Sequence, residues 1–135
     1  TWREWANREI PFDVNRTHWL GPLQEAEYHK VLAISHVHVY LTVPFVLSWS
    51  LLEAMAAGCS IVASDTAPVR EVLRDRKSAL LVDFFNSRAQ ADAIELLLED
   101  RDWALRLGLT AKEDAQAYSH EKGLEGWRAL LEVGG

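Results

Sequence analysis

Short apolar runs that alternate with helical patterns are the feature that most constrains how this chain can fold. Four runs rich in β-branched or aromatic residues predict strands at residues 17–20, 37–43, 60–64 and 79–82. Strands separated by helices build βαβ units, in which neighbouring strands are parallel. We therefore predict an α/β, partly Rossmann-like domain, with a parallel sheet of about four strands and helices on both faces.

Glycine and proline bound most of the predicted elements. Pro22 is expected to begin a helix, Pro44 to end the second strand, and Gly58 to stop the helix that follows it. Pro68 is expected in the first turn of a short helix. The helices are predicted at residues 3–9, 23–34, 49–57, 69–74, 87–99, 101–118 and 120–131, so the carboxyl-terminal part is helical. The spacing of Leu124, Trp127 and Leu131 predicts that the last helix packs on the core.

Composition and charge exclude several classes of protein. The 135 residues fit one domain, and the 20 acidic against 14 basic side chains, net charge −6, argue against a nucleic-acid-binding protein. No apolar run approaches the ~20 residues of a membrane span, and residues 1–5 have no signal-peptide pattern. The single cysteine, Cys59, excludes an internal disulfide and a thiolate metal cluster. We expect a cytoplasmic protein with no transmembrane segment.

The loop before the helix at residues 49–57 is the predicted ligand site. Open parallel sheets bind ligands beyond the carboxyl ends of their strands, and this loop joins such an end to a helix N-terminus. Free N–H groups at a helix N-terminus bind phosphate. We therefore expect the backbone N–H groups of Leu47, Ser48, Trp49 and Ser50 to hold a phosphate, with the two serine hydroxyls as further donors. The sequence has neither a dinucleotide-binding glycine fingerprint nor a Walker-type lysine.

Glu53, which the pattern places in the first turn of this helix, has two interpretations. Ser50 and Glu53 fit a capping box, in which the glutamate accepts a hydrogen bond from the backbone at the helix start. Spacing alone favours that structural interpretation. A carboxylate at this position could instead accept hydrogen bonds from the two ribose hydroxyls of a nucleotide whose phosphates lie on the helix end.

Beyond these patterns, the chain resembles a known enzyme family over about residues 16–131. Residues 49–65, W-S-L-L-E-A-M-A-A-G-C-S-I-V-A-S-D, are similar to the signature of the retaining GT-B glycosyltransferases of group 1, also called family four. Residues 37–44 resemble the strand and loop before that signature, and residues 16–21 an earlier strand of the family. Residues 68–72 and 79–82 resemble the helix and strand that follow the signature.

The resemblance implies a function and a domain organisation. It implies an enzyme that moves a hexosyl group from a nucleotide diphosphate sugar to an acceptor, with retention of configuration and without an essential metal or other cofactor. The 135 residues would be the nucleotide-sugar-binding, carboxyl-terminal domain, without its first part and without the N-terminal acceptor domain. We expect this part alone to be inactive, because the family's catalytic and diphosphate-holding basic residues lie in the parts that it does not match. The acceptor and the catalytic residues stay unassigned.

The resemblance also assigns residues to the donor, and it exposes departures from the family pattern. It assigns Glu53 to the nucleotide ribose. Gly21, Pro22 and Leu23 lie where the family has a loop that contacts the base or the sugar, and a plain turn is the alternative interpretation of these residues. The family's other glutamate, which contacts the donor sugar, should stand at position 45, where this chain has Phe45. Phenylalanine cannot accept a hydrogen bond from a sugar hydroxyl. Either the sugar is held differently, or donor recognition is altered or lost.

A second departure lies in a family turn that is usually rich in glycine. Arg76 and Ala79 stand at its glycine positions, a change that allows a different backbone path there. Together with Phe45, this turn motivates an alternative function for the chain. In that alternative the protein is a non-catalytic α/β interaction module whose donor site has degenerated.

Overall fold

A parallel three-stranded sheet forms the centre of the molecule. The computed structural model describes residues 1–43 and 45–132. The strands are β1 (His38–Tyr40), β2 (Ile61–Ser64) and β3 (Leu80–Val82), and they lie in the order β1-β2-β3. In the register, Val39 lies opposite Val62, and Ala63 lies opposite Leu81. The predicted α/β class and parallel sheet are therefore confirmed, with three strands against the predicted four or so.

The described residues contain seven α-helices: α1 (Trp2–Glu9), α2 (Glu25–Ile34), α3 (Trp49–Ala57), α4 (Ala67–Val72), α5 (Ser87–Glu99), α6 (Arg101–Ala115) and α7 (His120–Glu132). A short 3₁₀ turn, Gln116–Tyr118, separates α6 from α7. Helix α3 connects β1 to β2, and α4 connects β2 to β3. These connections are the βαβ units that the sequence predicted.

The core lies on both faces of the sheet because successive strand residues point to opposite sides. Ile61 and Ala63 of β2 belong to one buried cluster with residues from α2, α3, α4 and the second half of α6. Val62, between them, belongs to the other cluster with α5 and the first half of α6. All four residues of β2 are buried, which explains why its sequence, Ile-Val-Ala-Ser, shows no alternation of apolar and charged residues.

The predicted strand at residues 17–20 is wrong. In the described part of the chain these residues join no sheet, and Trp19 and Leu20 are largely exposed. Helix α2 also begins later than predicted, at Glu25, because Gln24 and Glu27 form a capping box at its start. Pro44, predicted to end the second strand, lies outside the described residues.

Helix α7 differs most from its predicted environment. The helix forms as predicted, but none of its residues is buried. Leu124, Trp127 and Leu131, predicted to pack on the core, lie on the surface instead. Trp2 and Trp5 in α1 are also exposed, so the helical spacing of the tryptophans does not place them in the core. The apolar spacing correctly identified the helices but not the surfaces that they bury.

Helices α3 and α6 cross at two glycines. Gly58 ends α3 in the left-handed conformation, with φ of 81°, as the predicted helix stop requires. Gly108 of α6 lies against it, so closely that a Cβ on Gly108 would stand 2.3 Å from the Gly58 carbonyl oxygen. Cys59 follows as a buried free thiol, donating to the Leu32 carbonyl at 3.3 Å. Burial raises the pKa of this thiol.

The turn before β3 contains a residue in a backbone conformation that favours glycine. Arg76 has φ of 57° and lies in the left-handed region, where a side chain is strained. Its N–H donates to the Ala79 carbonyl at 2.7 Å, and its guanidinium lies 5.9 Å from the centre of the Trp103 ring. Arg76 thus adopts a backbone conformation that side chains disfavour and glycine tolerates.

Candidate functional site

The candidate site lies at the carboxyl edge of the sheet, where β1 ends and the chain leads into α3. The Thr42 N–H donates to the Ser64 hydroxyl at 2.7 Å, and this bond joins the segment after β1 to the end of β2. The described residues between Tyr40 and α3 form no regular structure. The predicted ligand loop therefore occupies the edge at which open parallel sheets bind their ligands.

Ser48 caps α3, so the structure does not form the capping box between Ser50 and Glu53 that was one interpretation of this segment. Ser48 has the extended backbone of an N-cap residue, and its Oγ accepts a hydrogen bond from the Ser50 N–H at 3.3 Å. Trp49 is therefore the first helical residue, and Glu53 falls in the second turn, beyond reach of the cap. The structural interpretation of Glu53 as a capping residue is excluded.

The backbone N–H groups at this helix start are partly engaged within the chain. The Ser48 N–H donates to the Tyr40 hydroxyl at 3.0 Å, and the Ser50 N–H is held by Ser48 Oγ. For the Trp49 N–H, residues 1–43 and 45–132 supply no hydrogen-bond acceptor. Of the four predicted phosphate-binding N–H groups, those of Ser48 and Ser50 therefore already have partners. The side chain of Leu47, the remaining residue of the four, is half-buried against the core.

Hydroxyl groups take a large part in this polar surface. Ser48 Oγ and Ser50 Oγ lie 2.9 Å apart, and either oxygen can be the donor between them. Whichever donates, the other hydroxyl keeps its hydrogen for an outside acceptor. The Tyr40 hydroxyl, which accepts from Ser48, adds a third O–H group. An anion at the start of α3 would therefore meet hydroxyl donors beside the positive end of the helix.

Glu53 is exposed on α3, on the side that faces α2. It lines a groove of about 400 Å³ together with His29, Ala33, Ala56 and Ala57. Burial and the adjoining Glu53 carboxylate raise the pKa of Tyr28, because both disfavour the phenolate. Residues four apart share a helix face, so Glu53 lies on the same side of α3 as Trp49, about 6 Å further along the axis.

Apolar side chains surround the helix start. We call Val43, Phe45, Val46 and Trp49 the apolar rim, because all four are exposed, Phe45 and Trp49 by 77% and 76%. Phe45 is the residue at which the resemblance led us to expect a glutamate. The rim supplies no side-chain acceptor for sugar hydroxyls. Trp49 also lines a groove of about 410 Å³ with Leu124 and Trp127 of α7.

The turn that contains Gly21, Pro22 and Leu23 lies just before α2. Gly21 has φ of 66°, a conformation that favours glycine, and Leu23 is half-buried. No hydrogen bond among the described residues joins this turn to α3. The contact of this turn with the nucleotide base therefore stays a prediction.

Other cavities lie away from this edge. One of about 450 Å³ lies at the opposite edge of the sheet, between the ends of α2 and α3 and the start of α6, and is lined by His36, Ser60 and Arg101 among others. In the part of the chain that the structure describes, no group of three or more histidine, cysteine or acidic residues is arranged to hold a metal. In that same part, no helix is long and apolar enough to cross a bilayer.

Comparison with known proteins decides the family. The family described as glycosyl transferases group 1 matches residues 13–114, which include all three strands and α2 to α5. This chain belongs to that family. The match contains Tyr40, Ser48 and Glu53, so the candidate site lies within the residues that match the family.

Two curated relatives and one solved structure show how much of a larger protein is present. A Bacillus subtilis (strain 168) protein named glycosyltransferase EpsD is 27% identical over 100 residues, which are 74% of this chain and 26% of EpsD. The D-inositol 3-phosphate glycosyltransferase of Nocardia farcinica (strain IFM 10152) is 36% identical over 75 residues, 56% of this chain and 17% of that enzyme. The chain thus spans about a quarter or less of these relatives.

The structural match supports the same family. Sucrose-phosphate synthase from Thermosynechococcus elongatus superposes with a TM-score of 0.76 and 26% sequence identity, over 89% of this chain and 31% of that one. The α/β fold therefore matches that of a GT-B glycosyltransferase.

Two tyrosines beside the site were not identified from the sequence. In the sequence, Tyr40 is one residue of the run that predicts the second strand, and Tyr28 is one residue of the helix predicted at residues 23–34. The available signal was chemical: the hydroxyl of a partly buried tyrosine usually finds a hydrogen-bond partner. A tyrosine at the carboxyl end of a strand therefore places that hydroxyl near a ligand site of this fold class.

Proposed function

We propose that this chain is the nucleotide-sugar-binding part of the carboxyl-terminal domain of a retaining glycosyltransferase. The longer protein would transfer a hexosyl group from a nucleoside diphosphate sugar to an acceptor. The observation that carries the proposal is the family match over residues 13–114, which contains the start of α3 and Glu53. The short span of the chain along its relatives leaves room for the acceptor domain and for the first part of this one.

In this proposal the start of α3 holds the donor diphosphate. The N-terminus of a helix carries about half a unit of positive charge, which favours an anion. The Ser48 and Ser50 hydroxyls and the Trp49 N–H are the polar groups available there. Glu53, exposed and on the same side of the helix as Trp49, would accept hydrogen bonds from the two ribose hydroxyls.

The chemistry asks mainly for placement and charge stabilisation. As the glycosyl bond to the diphosphate breaks, positive charge develops on the sugar ring and negative charge on the leaving phosphate. Fixed dipoles at the start of α3 would stabilise that negative charge in the transition state. With retention, the leaving phosphate helps to take the proton from the acceptor hydroxyl. Because Phe45 provides no acceptor, the sugar hydroxyls would be held by other groups.

Titration calorimetry with uridine and guanosine diphosphates tests the proposal. The unmodified chain is compared with Glu53→Ala and Glu53→Gln, and with Glu95→Ala, an exposed glutamate in the middle of α5, as the matched control. Loss of a carboxylate acceptor should weaken binding of at least one of the two nucleotides by about tenfold or more. The control should bind like the unmodified chain.

Two results would contradict the proposal. Equal affinity of the Glu53 variants and the unmodified chain would remove Glu53 from the site. No binding of either nucleotide by a folded chain would favour the non-catalytic interaction module, for which the exposed Phe45 is the motivating observation.

A further inference from the structure

We propose that Tyr40 is a phosphate-binding residue of this site. Its hydroxyl would donate a hydrogen bond to the diphosphate of the nucleotide sugar. The Ser48 N–H would not contact the diphosphate, because it already donates to this hydroxyl. This inference rests on the proposed function, because it assigns a role at the same site.

The position of Tyr40 is determined by the sheet and by Ser48. It is the last residue of β1, and its half-buried ring packs against the buried cluster that contains α3. Its hydroxyl reaches forward to the start of α3 and accepts a hydrogen bond from the Ser48 N–H at 3.0 Å, at the protein surface. Strand and ring thus hold one oxygen at the edge where the phosphate is proposed to bind.

That hydroxyl has one hydrogen left to donate. A phenol that accepts a hydrogen bond keeps its own O–H as a donor. Among residues 1–43 and 45–132, no side chain or carbonyl accepts from the Tyr40 O–H. The N–H that donates into the oxygen also polarises the phenol, which strengthens the bond that its hydrogen can make. Within the described residues, the hydroxyl is therefore oriented and its O–H is free to donate.

A phosphate oxygen cannot reach the Ser48 N–H without displacing this hydroxyl. The hydroxyl is carried by a half-buried ring that packs against the core, so its displacement would disturb that packing. Donation by Tyr40 needs no such movement. Together with the spare hydrogen of the Ser48 and Ser50 pair, it gives the diphosphate two hydroxyl donors at the start of α3.

Tyr40→Phe tests the inference, since it removes the hydroxyl and keeps the ring. The probes are uridine and guanosine diphosphates and, in parallel, the corresponding nucleosides without phosphate. Tyr40→Phe should weaken diphosphate binding by about tenfold, the usual effect of losing one hydrogen bond to a charged group. Nucleoside binding should not change, because the lost donor faces the phosphate. Unchanged or tighter diphosphate binding would overturn the inference.

Tyr118→Phe is the matched control. The Tyr118 hydroxyl donates to the Glu71 carbonyl at 3.1 Å, so its hydrogen is already used. This variant should bind the diphosphates like the unmodified chain. An equal loss in both variants would overturn the assignment to Tyr40.

A second measurement uses the unmodified chain, in case Tyr40→Phe fails to fold. Addition of pyrophosphate should shift the NMR resonances of the Tyr40 ring protons, and no shift would overturn the inference. The outcomes also separate the two proposals. Diphosphate binding that depends on Glu53 but not on Tyr40 contradicts only this inference, whereas no nucleotide binding at all contradicts both.

Discussion

The two ends of helix α3 differ in what their residues contact. At its carboxyl end, Gly58 turns the chain in the left-handed conformation directly beneath Gly108 of α6. At its amino end, Ser48 caps the helix and its hydroxyl lies beside that of Ser50. Trp49 there is 76% exposed. Between the two ends, Leu51 and Met55 are completely buried. The carboxyl end is therefore fixed by its packing against α6. The amino end exposes polar and apolar side chains that pack against nothing in the core.

Such exposed groups on a rigid frame are typical of binding sites. The buried middle of α3 holds the amino end in place, and the crossing with α6 holds the buried middle. The comparison therefore predicts that changes at the carboxyl end act mainly on stability. Changes at the amino end should cost less stability and act mainly on binding. The following variants test that separation, in order of decreasing effect on stability.

Gly108→Ala should have the largest effect. The new Cβ would lie 2.3 Å from the Gly58 carbonyl oxygen and 3.2 Å from the Cys59 carbonyl carbon, and both are backbone atoms that cannot rotate away. Helix α6 would have to move off α3, at a cost of about 3 kcal/mol in the free energy of unfolding. Urea denaturation measures that change. Gly123→Ala in α7, where a Cβ meets nothing within 4 Å, is the control and should not destabilise the chain.

Gly58→Ala should have an intermediate effect. Alanine at a φ of 81° is strained, at about 1–2 kcal/mol, and its Cβ would make only an ordinary contact with Lys112 Cδ at 3.6 Å. Thermal or urea unfolding should therefore place this variant between Gly108→Ala and the unmodified chain. A loss larger than that of Gly108→Ala would show that the close approach of α6 is not the stricter constraint.

Ser48→Ala should cost about 1 kcal/mol, the usual contribution of an N-cap side chain. The Ser50 N–H would lose its acceptor, Ser48 Oγ. Ser50→Ala is the matched control, because no backbone N–H donates to Ser50 Oγ among the described hydrogen bonds. Equal unfolding free energies for the two variants would contradict the assignment of Ser48 as the cap.

Trp49→Ala should have the smallest effect on stability, within about 0.5 kcal/mol, because its side chain is mostly in solvent. Chemical denaturation of this variant checks the value. A loss of several kcal/mol would mean that the apolar rim is part of the core, and the contrast between the two ends of α3 would fail.

The sequence was sufficient to predict the α/β class because parallel strands are buried on both faces. The wholly buried strand β2 carries its signal in its own residues. The false strand at residues 17–20 shows the limit of that argument. A strand exists only where a partner strand lies beside it, and pairing depends on distant parts of the chain. The exposed face of α7 has the same cause, since periodicity shows that a face is apolar but not what covers it.

The place of the candidate site was predictable, but its hydrogen bonds were not. The position of a loop between a strand and a helix start follows from local patterns, and the structure has α3 begin at the predicted residue. The spacing of Ser50 and Glu53 fits a capping box that begins at Ser50, but in the structure the N-cap residue is Ser48. The hydrogen bond between Tyr40 and Ser48 joins residues that are eight positions apart, and it forms only when β1 and the start of α3 pack together.

Mapping nucleotide binding onto the backbone tests the central claim most directly. Uridine or guanosine diphosphate is added to the ¹⁵N-labelled chain, and the change in each amide resonance is recorded. We predict that the perturbed amides cluster at the amino end of α3, from Ser48 to Glu53, and that those of Gly58 and Gly108 stay unchanged. Changes confined to the opposite sheet edge, around His36 and Arg101, or no change with either nucleotide, would contradict the account.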